Sequence, residues 1–168
     1  MAIVSSAAAG LRVASRATII QLRAPGLSTA ALEREAHELV AAASVPVLIS
    51  SRCDVALAAA AAGVNLPESD IPVAEARTLL GRRMIGRSVH SIQSAQQAER
   101  EGADYVIFGP VWESASHPGT APAGLAALTQ LVRSVEIPVL AIGGVTEERV
   151  VETLASGAAG YAAIRLFE

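Results

Sequence analysis

The stretch "FGPVWESASHPG" (108–119) gathers groups that a plain surface turn does not need. An apolar run stops at Gly-Pro, and Trp112, Glu113, two serines and His117 follow. His90 stands at the end of another apolar run, "RMIGRSV". Imidazole and carboxyl groups move protons near neutral pH, so His90, Glu113 and His117 are the candidate catalytic residues. A carboxyl buried beside an indole would have its pKa raised. The expected chemistry is proton transfer on a planar ligand, with Trp112 against its face.

A second constellation is suited to an anion. In "AIGGVTEERV" an apolar run meets Gly143-Gly144, and a helix is expected to start near Thr146. Two glycines let backbone approach an anion, and a helix N-terminus presents N–H donors to it. The plainer reading of the pair is a tight strand-to-helix turn. Ile164 and Arg165, at the end of the last apolar run, would complete a phosphate seat. Gln21, Arg23 and Ser88 end two further runs and join them as candidate substrate-binding residues. Other residues have bland readings. Arg52 is expected to pair with Asp54. Arg87 has the opposite strand parity to Ser88, so one of them faces away from the ligand. His37 lies mid-helix.

These groups are far apart in sequence, so the elements between them must bring them together. Seven apolar runs are followed by Ala-rich helical stretches: 17–23, 45–51, 63–67, 83–89, 104–111, 137–144 and 160–166. The runs are apolar on nearly every residue, which marks parallel strands covered on both faces. Ser28, Asp70, Ser91 and Thr146 stand where helix caps belong. The class is α/β and the expected fold a (β/α)8 barrel, with chemistry at the C-terminal ends of the strands. The chain is short for such a barrel. "AIVS" (2–5) is the candidate eighth strand and 6–16 a clipped helix, so the first βα unit is shortened and no closing C-terminal helix is expected. A homodimer would cover the face left bare.

Composition narrows the function. The 168 residues are 52% hydrophobic and are read as one domain, 1–168. No apolar run approaches the ~18 residues of a membrane span, so a cytoplasmic protein with no membrane partner is expected. Net charge is −3 and aromatics are 3%, without a basic block, so nucleic acid is not an expected partner. There is no lysine; all 13 basic residues are arginine. That excludes a lysine Schiff base and a Walker-type phosphate loop. Cys53 stands alone, so neither a disulfide nor a cysteine metal site forms.

Taken in order, the motifs resemble the thiamine phosphate synthase and TenI family over about residues 6–167. "IIQLRAPGLS" is similar to its Q-L-R-x-K segment, and "ISSRCDVALAAAAAGVNLPESDIPVAEAR" to its N-D-R-x-D-x-A…G-V-H-L stretch. "IGRSVHSIQSAQQAEREGADYVIFGPVWESASHPG" and "IPVLAIGGVTEERVVETLASGAAGYAA" resemble its later half. "GRSVHS" and "FGPVWES" lean towards the TenI branch. The resemblance implies a TIM barrel binding a phosphorylated thiazole. In the synthases it also implies a pyrimidine diphosphate with Mg²⁺. Against the synthase pattern, Pro25 replaces a Lys, Ser50 and Ser51 an Asn-Asp pair, Asn65 a His and His117 a Lys. Arg23, Ser88 and Asp70 remain. The expectation is therefore a TenI-like thiazole tautomerase working by metal-free proton transfer, with no cofactor and no metal. Some tautomerases carry a His where this chain has Pro110. The alternatives are a thiamine phosphate synthase and an inactive relative that binds a phosphorylated heterocycle.

Overall fold

Apolar runs without alternation must be covered on both faces, and a parallel barrel wrapped in helices does this. The computed structural model, which describes residues 1–113, 119 and 121–167, has that form. Strands β1 (Ala2–Val4), β2 (Ile20–Leu22), β3 (Val47–Ser50) and β4 (Gly63–Leu66) are followed by β5 (Met84–Val89), β6 (Tyr105–Phe108), β7 (Val139–Ile142) and β8 (Gly160–Ala162). They pair in sequence order, each parallel to the next. Helices α1 (Ala7–Val13), α2 (Thr29–Ala42), α3 (Cys53–Ala58), α4 (Val73–Leu80), α5 (Ile92–Arg100), α6 (Gly124–Val132) and α7 (Glu147–Ala155) fill the crossovers.

The eighth strand is β1, as "AIVS" led us to expect, and α1 is a clipped helix of 7 residues. The seam is closed between β8 and β1. Ile3 N–H donates to the Ala163 carbonyl at 2.9 Å, and Ala163 N–H to that of Met1 at 3.1 Å. The Met1 ammonium donates to the Tyr161 carbonyl at 2.7 Å. The last apolar run does not stay extended to 166: β8 stops at Ala162, and Arg165–Phe167 coil into a 3-10 turn.

Strand alternation divides the interior in two. Ile20, Leu22, Ile49, Val64, Leu66, Ile85 and Val106 face outward into one core with the helices. The helices meet them through Ala36, Ala56, Ala76, Ala95 and Ala98, all buried. Small side chains there let short helices lie close on the sheet. Ile3, Leu48, Tyr105, Ile107 and Ala162 face inward and plug the lumen. Ser28 and Ser91 cap α2 and α5 as expected, each accepting a backbone N–H. Asp70 and Thr146 do not cap by side chain. Pro72 takes the cap position of α4, and Asp70 Oδ1 accepts from the N–H of Ile71 instead.

Candidate active site at the barrel mouth

The inward positions at the C-terminal strand ends follow from the same alternation. On β2, Ile20 and Leu22 face the helices, so Gln21 faces the lumen and is 2% exposed. Arg23 follows with the same parity and is exposed at the rim. On β5, Ile85 and Val89 face outward, which turns Gly86 and Ser88 inward. Arg87 faces outward, as its parity implied. Its guanidinium donates to the carbonyls of Ile71 and Glu68 at 2.7 Å and pins the loop before α4.

A polar chain crosses the lumen below this rim. Tyr105 on β6 is buried, and its hydroxyl donates to Asn65 Oδ1 on β4 at 3.2 Å. Asn65 is itself 3% exposed, and its Nδ2 donates to Ser88 Oγ at 3.0 Å. Burial pushes the Tyr105 phenol up from its ordinary pKa, so the ring stays neutral. The ring passes directly over Gly86; a Cβ there would fall inside it. Among the described residues Gln21 Oε1 is buried without a hydrogen-bond donor. Tyr105 was not a sequence candidate, because it heads the apolar run "YVIF". Its signal was Gly86, a glycine inside a strand, which marks a close approach.

The rim loops are held by one another. Val111 N–H donates to the Ile142 carbonyl at 2.9 Å and Trp112 N–H to that of Gly143 at 3.1 Å. Gly143 and Gly144 have φ of 93° and 66°, the left-handed region glycine favours. A Cβ on Gly144 would lie 2.5 Å from the Glu113 carbonyl oxygen and 2.7 Å from Trp112 Cβ. The pair thus lets the 110–113 segment lie flat on the turn before α7. Arg149 clamps this contact, donating to the Gly144 carbonyl at 2.7 Å while its guanidinium sits 5.2 Å from the Trp112 ring centroid.

The expected proton carriers fall in different surroundings. His90 is exposed; its Nδ1 donates to the Gly109 carbonyl at 2.6 Å, and Nε2 lies 3.7 Å from Glu68. That bond ties β5 to the start of the 108–119 loop. Glu113 is exposed, so the expected burial beside the indole is not met. His117 lies outside the described residues. Ile164 packs on the lumen cluster, and Arg165 is exposed in the 3-10 turn. Arg52 is taken by Asp54, at 2.8 and 2.6 Å, and by Thr29 Oγ1. That pair holds the Asp54 carboxyl below its ordinary pKa and the Arg52 guanidinium above its own. With Arg52 held by Asp54 and Arg87 and Arg149 held by backbone carbonyls, Arg23 and Arg165 are the rim arginines whose side chains bond no other described residue.

A hard dication such as Mg²⁺ needs several oxygen donors, carboxylates above all. Ser51 stands where the resemblance puts a metal carboxylate. One oxygen of Asp70 is used by Ile71. Among the described residues no three His, Cys, Asp or Glu side chains converge. The donors present do not fit that ion.

A closed parallel barrel with hydroxyl, amide and guanidinium groups at its C-terminal rim defines the class of (β/α)8 barrels that work at that end. The chain belongs to the thiamine monophosphate synthase family, whose sequence profile matches residues 2–167. It is 40% identical over 152 residues to the thiamine-phosphate synthase of Chloroflexus aurantiacus, covering 88% of this chain and 70% of that one. It is 38% identical to a putative thiamine-phosphate synthase 2 of Aquifex aeolicus, covering 89% and 82%. The solved thiamine phosphate pyrophosphorylase of Pyrococcus furiosus superposes with a TM-score of 0.88 at 30% identity, over 97% of this chain and 84% of that one.

These relatives overturn the tautomerase expectation. The two sequence relatives are named as synthases, one of them as putative, and the lean of "GRSVHS" and "FGPVWES" towards TenI does not separate this chain from them. The reason is visible at the rim. His90 bonds a loop carbonyl and Trp112 stacks under Arg149, so those motifs report how the rim loops are built. They do not report a branch-specific reaction.

Proposed function

We propose that this chain is a thiamine-phosphate synthase, a transferase joining a pyrimidine diphosphate to a thiazole phosphate at the barrel mouth. The observation that carries this is its 40% identity, over 88% of its length, to a protein named for that reaction. The retained rim groups suit the charge involved. As the C–O bond to diphosphate breaks, negative charge grows on the leaving oxygens. The Arg23 guanidinium and the Ser88 hydroxyl stand at the ends of β2 and β5, where they would stabilise it. The backbone at Gly143-Gly144 and the start of α7 would hold the thiazole phosphate.

A second reading has an observation of its own. Ser50 and Ser51 replace the Asn-Asp pair, and the donors at the rim do not fit the divalent ion the resemblance implies. That favours a relative that binds the phosphorylated heterocycle without joining it to anything. Purified protein incubated with both substrates and Mg²⁺, with product followed by mass and each ligand titrated by calorimetry, separates the two. Thiamine phosphate formed above the blank supports the synthase. Micromolar binding without product supports the second reading, and neither binding nor product sinks both.

A further inference from the structure

The chain from Tyr105 to Ser88 has a direction, and the direction fixes what Ser88 offers a ligand. An asparagine side chain has one end that accepts and one that donates. If its amide were reversed, the Tyr105 oxygen would accept from it. The phenol proton would then need another acceptor, and no other described acceptor lies within hydrogen-bond distance of the Tyr105 hydroxyl; Gln21 Oε1, unpaired in the lumen, makes no bond to it. A buried O–H left without an acceptor is costly, so Tyr105 donates to Asn65 Oδ1. Asn65 Nδ2 then points at Ser88 and donates to its Oγ. That oxygen has a single proton. With Asn65 as its donor, and no described residue accepting from it, the proton is directed to the open side of the mouth.

We propose that Tyr105 and Asn65 are positioning residues that hold the Ser88 hydroxyl as an outward donor, selecting a ligand oxyanion of the phosphoryl class at the end of β5. The proposal rests on the reading of Ser88 as a rim contact for the diphosphate, and it adds what orients that contact. Gly86 belongs to the device, because only a residue without a Cβ lets the Tyr105 ring cross from β6 to Asn65. Neither Tyr105 nor Asn65 touches the ligand.

The test is a double-mutant cycle on the binding of inorganic pyrophosphate, measured by calorimetry. The parent, Ser88→Ala, Tyr105→Phe and the double variant are compared, each checked for a cooperative melt. Losing a donor to a charged oxygen should weaken binding about 10-fold in Ser88→Ala. Losing only its orientation should weaken it roughly 3- to 5-fold in Tyr105→Phe. The double variant should bind no worse than Ser88→Ala alone, because the phenol acts only through that hydroxyl. A general structural role for Tyr105 would instead multiply the two losses. Multiplied losses, an unchanged Tyr105→Phe, or a parent that does not bind pyrophosphate each overturn the proposal. Should Tyr105→Phe not melt cooperatively, Tyr105→Phe with Asn65→Leu replaces both partners by apolar groups of similar shape and completes the same cycle. Turnover is not used, so an inactive protein that shows the coupling refutes the synthase reading alone.

Discussion

Gly86→Ala is the sharpest perturbation of the lumen. Its φ lies outside the left-handed region, so alanine meets no backbone penalty there. By itself the change would stabilise the chain by about 0.5–1 kcal/mol through the unfolded state. The new methyl, however, collides with the phenol end of the Tyr105 ring, 2.0 Å from Cζ and 2.3 Å from the hydroxyl oxygen. Forcing a ring aside in a packed interior costs about 1–3 kcal/mol. Asn65 Oδ1, buried with its residue 3% exposed, loses its donor at a further cost of about 1–3 kcal/mol. The net loss is about 1–5 kcal/mol, against a total stability on the order of 5–15 kcal/mol. Urea unfolding followed by far-ultraviolet circular dichroism would show the midpoint falling by about 0.5–2.5 M, for a slope of about 2 kcal/mol per M that does not change. Combining it with Tyr105→Leu removes the ring the methyl collides with. The double variant should then be no less stable than Tyr105→Leu alone. A Gly86→Ala protein within about 0.5 kcal/mol of the parent, or a double variant showing the sum of both losses, would refute the account of the crossing ring.

Gly144→Ala meets two penalties at once, a φ of 66° and a collision with the Trp112–Glu113 backbone. It should lower stability by at least about 1–2 kcal/mol and change the emission of the sole tryptophan, Trp112; unaltered emission would count against the clamp. Ser51 has φ 65°, which asparagine and aspartate tolerate better than serine. Ser51→Asp should leave stability unchanged or slightly higher and bring in Mg²⁺ binding by calorimetry; a flat titration would show that the missing donor lies elsewhere. The Tyr105 phenol, raised by burial, adds a pH limb. The unfolded phenol ionises near its ordinary 10.0 while the folded one stays protonated, so this stability is present below that pH and is lost as pH rises above it. Tyr105→Phe should be less sensitive between pH 10 and 11, and parallel curves for the two proteins would argue against a buried phenol.

The barrel could be read from the sequence because its signals are local or periodic. "VPVLISS" is apolar on both parities, and β3 is covered on both faces. The parity of "GRSV" alone sent Arg87 to the loop carbonyls and Ser88 to the lumen. Ser28 and Ser91 could be read as caps because a serine reaches only its own helix start. Asp70 could not, because Ile71-Pro72 moves the start of α4 two residues on. What lay beyond the sequence was contact between distant elements. Nothing near Tyr105 announces a partner 40 residues away. Nothing near Trp112 announces that Arg149, in the first turn of α7, takes its face. The motifs showed which loops form the rim, but whether a histidine there moves protons or ties a loop depends on the neighbour it meets.

Met1 and Tyr161 meet across 160 positions of the chain, so β1, once made, waits for β8. At about 5–20 residues per second that wait is roughly 8–30 s. The alanine-rich helices, built on local contacts, can form throughout it, and β2 can pair with β1 early. The outer edge of β1 and the edge of the newest strand, however, stay open until β8 appears. Such edges are templates for pairing with another nascent chain. A fold that ends without edges is therefore made through a series of intermediates that each have two, and its yield in a cell depends on how crowded translation is with copies of itself.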